Sequence, residues 1–354
     1  MDDSLLDTAS GIEKISPRLH IQGVPVLSTR FTELVGCRVP LQLAGMGGVA
    51  TPELAGAVSA AGGLGMIGGP LLSPAEIAQA LDGLNARKVG PVGITFIISF
   101  LEDRECVVAA ASRAKVVEFS FGPPDRSLVD LVHKGGALAS WQVGSREEAL
   151  AAAEAGCDFI IAQGIEGGGH LTGRIGLFAL LDEVLDVVKI PVLAAGGIGS
   201  GRTMAAALAA GASGVRLGTR FLATPEANVH PGYAEKLLPA RAKDTTMTHA
   251  FDLMMPGIPH RVLRSCIEAA QAFQGEFTGE LVLGSQRMPL PRWSVPSPTR
   301  QTTGAIDAMA LYAGESVSAV KSMQPAAGIV KELAEQAEQH LRQWAMRLGG
   351  AGAR

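Results

Sequence analysis

Residues 162–173 read AQGIEGGGHLTG. Four glycines, Gly164, Gly167, Gly168 and Gly169, and then a histidine, His170, follow an apolar run. A surface turn has no use for so many glycines, but backbone that must come close to a phosphorylated ligand does. A neutral imidazole beside such a ligand can take a proton from a carbon next to an electron-withdrawing group, and a protonated one can steady an anion. The bland alternative is a histidine satisfied within the packing. Gln163 could hydrogen-bond the edge of a planar ring or anchor the loop, and Glu166 suits loop orientation better than base chemistry.

Two further glycine loops lie downstream. Gly196-Gly197-Ile198-Gly199-Ser200-Gly201 runs into a helix start, and Gly218-Thr219 ends a strand-like run. Backbone N–H groups, a helix N-terminus and a threonine hydroxyl together hold a phosphate dianion; the bland reading is a pair of tight turns. Gly63-Leu64-Gly65-Met66-Ile67-Gly68 matches GxGxxG, but a helix precedes it and a strand lies inside it, the reverse of a dinucleotide fingerprint. These read as packing glycines. The other histidines compete poorly: His20 precedes the regular pattern, His133 and His340 fall in helices, and His230, His249 and His260 fall in a segment that could close over a site. No Cys/His spacing suggests a metal, and no GxSxG elbow suggests a serine nucleophile.

Strand-like runs start near 39, 64, 91, 115, 137, 157, 190 and 213, each followed by helical periodicity. Thr51 and Pro52 open one helix, and Ser73 with Glu76 and Ser145 with Glu148 have capping-box spacing. Eight alternations imply a closed (β/α)8 TIM barrel, with an open doubly wound sheet as the alternative. In such a barrel all three glycine loops fall on the C-terminal rim of the strands, where phosphate sites and catalysis concentrate. The expected organisation is an N-terminal extension over 1–38, a barrel over 39–221 and 301–354, and a mostly helical insertion after strand 8 over 222–300. A last helix spans 325–350, with Ile329, Leu333, Ala337, Leu341 and Trp344 in one apolar stripe. Part of the insertion's apolar set, Met247, Phe251, Met254, Met255 and Trp293, is expected to roof a substrate pocket.

Composition agrees. Of 354 residues 47% are hydrophobic and 5% aromatic, a supply of Ala, Val, Leu and Ile that suits a parallel sheet wrapped in helices. A net charge of −4 without a basic run argues against nucleic acid and anionic membrane. Four scattered cysteines and an acidic start without an apolar stretch point to a cytoplasmic protein.

The longer motifs resemble a known family. AQGIEGGGH, PVLAAGGIGSGRTMAAALAAGASGVRLGTRFLATPEA, LQLAGMGGVATPELAGAVSAAGGLGMIG and YAGESV are similar to blocks of the nitronate monooxygenase (2-nitropropane dioxygenase-like) family. The resemblance implies a barrel with bound FMN, contacted by Ala44, Gly45, Met46, Thr95, Gln142, Gln163, Gly168, Gly196, Gly197, Arg216, Leu217, Gly218 and Thr219, with His170 catalytic. It implies oxidation of alkyl nitronates or nitroalkanes by O2 to a carbonyl compound and nitrite, and it allows a homodimer. The chain departs from the family in Gly45 for the usual Pro, Thr95 for Asn, EGGGH for EAGGH, and an insertion without the Arg-Pro-Arg pattern. FMN-dependent enoyl-ACP reductases share these motifs and remain an alternative, as do NAD(P)H:quinone reductases of this fold and a flavin-binding protein without turnover.

Overall fold

The computed structural model describes residues 27–283 and 286–350. Its barrel strands are β1 (Leu41–Leu43), β2 (Gly65–Gly68), β3 (Val92–Ile97), β4 (Val116–Ser120), β5 (Leu138–Val143), β6 (Phe159–Gln163), β8 (Val192–Ala195) and β9 (Gly214–Leu217). A two-residue strand, β7 (Gly169–His170), falls between the sixth and seventh of them. All eight pair in parallel in the order β1-β9-β8-β6-β5-β4-β3-β2, and a Gln42–Leu64 bridge joins β1 to β2 and closes the ring. Each strand lies within the run the sequence marked for it.

Helices α1 (Arg30–Val35), α2 (Pro52–Ala60), α3 (Pro74–Ala86), α4 (Glu105–Ala111), α5 (Arg126–Gly135), α6 (Arg146–Ala155), α7 (Leu177–Val187), α8 (Gly201–Ala209) and the short α9 (Thr219–Leu222) alternate with the strands. Ser73 and Glu76 form the expected reciprocal cap. At α6, Ser145 accepts from the Glu148 N–H, but the Glu148 carboxylate turns to the Gly144 N–H at 2.7 Å, so that box is half made. Thr51 makes no side-chain cap; Pro52 holds the first helical position, where its missing N–H is no loss. The helix expected near 101–113 covers Glu105–Ala111.

Residues 30–35, within the expected N-terminal extension, form α1, which plugs the barrel floor. Phe31 is fully buried, and its ring meets that of Phe159 edge-on at 5.3 Å. Residues 1–26 lie outside the described part. Above that floor the inward strand positions alternate with period two. The lower layer is apolar, with Leu64, Met66, Val116, Phe159, Ile161 and Leu193 in one cluster. The upper layer is polar: Gln42, Thr95, Glu118, Gln142, Gln163 and Arg216, all buried. The GxGxxG glycines pack as read. A Cβ on Gly65 would stand 1.9 Å from the Ala55 carbonyl oxygen, and one on Gly68 would stand 2.4 Å from that of Met46.

The stretch after the eighth barrel strand differs from expectation. It holds two helices, α10 (Pro231–Leu237) and α11 (Arg264–Ala272), but also four strands, β10 (Thr245–Thr248), β11 (His260–Leu263), β12 (Phe277–Leu283) and β13 (Gln286–Pro291). β10, β11 and β7 make one three-stranded sheet; β13, β12 and β14 (Thr303–Gly304) make another. The cause is long-range pairing. β11 borrows Gly169 and His170 from the glycine loop as its third strand, a partner that local periodicity cannot announce. α12 (Ala326–Gly350) closes the chain; Ile329, Leu333 and Ala337 are buried as expected, but Trp344 is 61% exposed because the helix end overhangs the barrel.

Candidate active site

The sequence-marked residues form one continuous rim at the C-terminal ends of the strands. Gly196 (φ +105°) and Gly197 (φ +68°) are left-handed, a backbone state only glycine enters without strain. A Cβ at Gly196 would lie 2.9 Å from the Gly164 carbonyl oxygen, and one at Gly197 would lie 3.2 Å from Glu166 Cβ, so the loops after β6 and β8 pack directly on each other. A Cβ at Gly168 would lie 2.3 Å from the Gly314 nitrogen and 2.9 Å from Thr219 Oγ1. The Gly314 N–H donates to that hydroxyl at 3.0 Å, and the Glu315 N–H donates to the Glu166 carbonyl at 2.9 Å. The segment around 312–315 thus straps the β6 loop to the start of α9. Gly218 differs: a Cβ there would meet only Ala44 and Met46, both at an ordinary 3.4 Å. Gly45 lies against Thr95, where a Cβ would fall 2.1 Å from the hydroxyl. Among the described residues, the N–H groups of Gly197, Ile198 and Gly218 have no acceptor in the protein.

Beneath this rim a buried network holds the polar residues. Glu118 Oε1 pairs with Arg216 Nη1 at 2.8 Å and accepts from Thr95 Oγ1 at 3.1 Å, while Oε2 accepts from Gln42 Nε2 at 2.8 Å. Arg216 Nη1 also donates to Gln142 Oε1 at 2.8 Å. Gln142 Nε2 passes the chain to Gln163 Oε1 and Thr172 Oγ1, and Gln163 Nε2 donates to the His170 carbonyl at 3.0 Å. The buried charge pair and the hydrogen bonds around it fix the rotamers of Thr95, Gln142 and Gln163, while Gln42 Oε1 is left buried without a partner. Glu118, Gln42 and Thr172 were absent from the sequence reading. For Glu118 the signal was there: a single charged residue inside the apolar run VVEFSF. Arg220, next to Thr219, is also buried. Its Nη2 bonds Gln324 and Glu332, while its Nε and Nη1 have no partner, which puts positive charge beside the rim.

His170 sits where three elements meet. It pairs in register with His260 of β11, so the rim loop and the insertion are hydrogen-bonded together. Its ring lies 5.1 Å from that of His260, 5.4 Å from Tyr312 and 5.7 Å from Phe121. Its Nε2 is buried without a hydrogen-bond partner. Burial, and secondarily the nearby His260, push its pKa from 6.5 down to about 3. It is a neutral imidazole across the physiological range. His260 is fully buried; its Nε2 accepts from the Phe251 N–H at 3.2 Å, which leaves Nδ1 to donate to the Ile258 carbonyl at 3.3 Å. Burial lowers its pKa too. Neither histidine adds charge to the site.

Of the five apolar insertion residues, Phe251 and Met255 are buried, Phe251 behind His260 at 6.3 Å and against Trp293 at 5.3 Å. Met247 and Met254 are 40% and 42% exposed. None of the five lines the cleft of about 610 Å³ that opens beside His170; the insertion contributes Gly257, Ile258 and Pro259 instead. All four cysteines are buried, and no described helix is long and apolar enough to cross a membrane.

Against known proteins, the family model described as nitronate monooxygenase matches residues 28–106 and 91–336. The chain is 37% identical over 254 residues, 72% of its length and 70% of the relative's, to a (3aS,4S,5R,7aS)-5-hydroxy-7a-methyl-1-oxo-octahydro-1H-indene-4-carboxyl-CoA dehydrogenase of Rhodococcus jostii (strain RHA1). Among solved structures, FabK from Thermotoga maritima superposes with a TM-score of 0.75 at 30% identity, covering 90% of this chain and 98% of that one. A nitroalkane oxidase from Streptomyces ansochromogenes superposes at 0.70 and 29% identity, covering 87% and 98%.

Proposed function

Because the chain belongs to the nitronate monooxygenase family, and is therefore an oxidoreductase, we propose that it is a flavin-dependent enzyme in which His170 accepts the proton of an apolar carbon acid. The flavin of this reading is FMN. The rim fits its phosphate: the N–H groups of Gly197, Ile198 and Gly218 lack protein acceptors, the short α9 starts there, and Gly218 leaves side-chain space unfilled. Gln163, Gln142, Arg216 and Thr95 would line the ring side of the same site, held in place by Glu118. When bound, FMN supplies two-electron oxidation of the substrate and the passage of those electrons to O2.

One observation carries the role of His170: its Nε2 is buried, unpartnered and part of a neutral ring at the rim. A neutral imidazole has a basic nitrogen to offer, and its aromatic enclosure keeps water from competing for it. The substrate class that follows from the family is a nitroalkane or its nitronate, oxidised with O2 to a carbonyl compound and nitrite; the nitroalkane oxidase neighbour supports it. A second reading is favoured by the 37% identical relative, which is named a dehydrogenase of a ring-bearing CoA thioester. There the same imidazole would receive the proton of a hydroxyl as that carbon is oxidised.

Anaerobic mixing of the purified holoprotein with an alkyl nitronate, a hydroxyacyl thioester, NADH and NADPH, each alone, separates these readings by flavin bleaching. Bleaching by the nitronate is expected. Bleaching by the thioester alone would select the dehydrogenase, bleaching by a nicotinamide alone would select a reductase, and a colourless protein would overturn the flavin reading.

A further inference from the structure

Phe121 follows β4 with a φ of +57°, the left-handed region that a bulky side chain enters only when its surroundings hold it there. What holds it is the site. Its ring meets the His170 ring edge-on, with the planes at 70°. The same ring lines the cleft of about 610 Å³, together with Pro123 and Pro124 from its own loop, Leu171 next to His170, and Ile258 and Pro259 just before His260. The Leu171 N–H donates to the Pro259 carbonyl at 2.8 Å, next to the His170–His260 pairing, so barrel and insertion together build one wall. His170 does not line the cleft. Phe121 does, and it also touches His170; it is the residue the two have in common.

Three properties of the cleft define its occupant. Its near walls are apolar. Its volume lies within the roughly 300–1,000 Å³ of sites that take drug-sized ligands, far more than a small nitroalkane fills. Among the described residues its only charged lining residues are Glu147 and Glu148, with no Lys, Arg or His; Glu148 is committed to the Gly144 N–H. Carboxylates at the outer wall repel an anionic group.

We propose that this cleft holds the apolar, uncharged body of the substrate, and that Phe121 is the specificity-determining residue that presents it to His170. The proposal rests on His170 as proton acceptor for its connection to turnover, but not for the binding itself. Calorimetric titration of the holoprotein with octanamide, propanamide and octanoate tests the binding, and steady-state oxidation of a nitroalkane series of increasing chain length tests the connection. Octanamide should bind more tightly than either of the others by about tenfold or more, since each buried methylene contributes. Phe121→Gly removes the ring and suits the left-handed backbone; it should lose about tenfold for octanamide and raise KM for long nitroalkanes with little change in kcat, while Phe121→Leu retains most of both. Ile258→Asp, in the insertion's share of the lining, should weaken octanamide by a similar factor. Equal binding of the three probes, or octanamide affinity indifferent to Phe121→Gly and Ile258→Asp, overturns the proposal. The expected binding pattern without oxidation of any nitroalkane supports the cleft and overturns the nitronate reading instead.

Discussion

Replacing His170 with Asn should flatten the acid limb of the protein's stability. In the folded chain the imidazole pKa is pushed from 6.5 to about 3, by burial first and by His260 second. Between those two values the unfolded chain binds a proton that the folded chain refuses. Stability from this group is therefore complete above pH 6.5 and is lost as pH falls toward 3. At about 1.36 kcal/mol per unit, two units below the unfolded value remove about 2.7 kcal/mol, a ceiling for a half-buried ring. Urea unfolding of wild type and His170→Asn at about pH 7.5 and about pH 4.5 isolates the effect, because the other titrating groups, His260 included, are common to both proteins. The variant should lose about 2 kcal/mol less than wild type over that interval. Parallel losses, within about 0.5 kcal/mol, would show that His170 takes up its proton as readily folded as unfolded. The argument for a neutral, desolvated base would then fail.

Three other outcomes follow from the same geometry. His170→Asn should keep its flavin and lower turnover of a neutral nitroalkane by about a hundredfold, with a smaller loss on the preformed nitronate, whose proton has already left; equal losses on both would assign His170 to orientation. Glu118→Gln, which strands the buried Arg216 guanidinium, should cost about 3–5 kcal/mol in urea unfolding, and a cost under about 1 kcal/mol would mean that the network is not dry. Gly218→Asp should give a colourless protein that melts with the flavin-free wild type, because the added Cβ meets the protein only at ordinary contact distance while its carboxylate opposes a phosphate; a yellow variant that releases FMN would relocate the phosphate site.

Much of the barrel was legible in the chain itself. Strand and helix periods, the proline and serine helix starts and the glycine stops are local signals, and eight alternations leave few ways to bury a parallel sheet. The glycine loops at 164–169, 196–201 and 218–219 were legible for the same reason: a backbone that must turn left-handed or admit a close neighbour marks its own position. Once the barrel was inferred, topology put those loops and His170 on one rim.

The tertiary structure decided everything that depends on partners far apart in sequence. His170 becomes a desolvated neutral ring only because His260, ninety residues on, pairs with it in β11, and because Tyr312 packs on both rings and Phe121 on that of His170. The insertion read as mostly helical because strand pairing has no local period to reveal its partner, and β11 found that partner in the glycine loop. Glu118 looked like a lone charge in a strand until the ring closed and set Arg216 against it. A chain can specify which residues turn, cap and alternate through its neighbours along the backbone; which side chains lose their water, and so change their chemistry, is fixed only when distant segments exclude that water together.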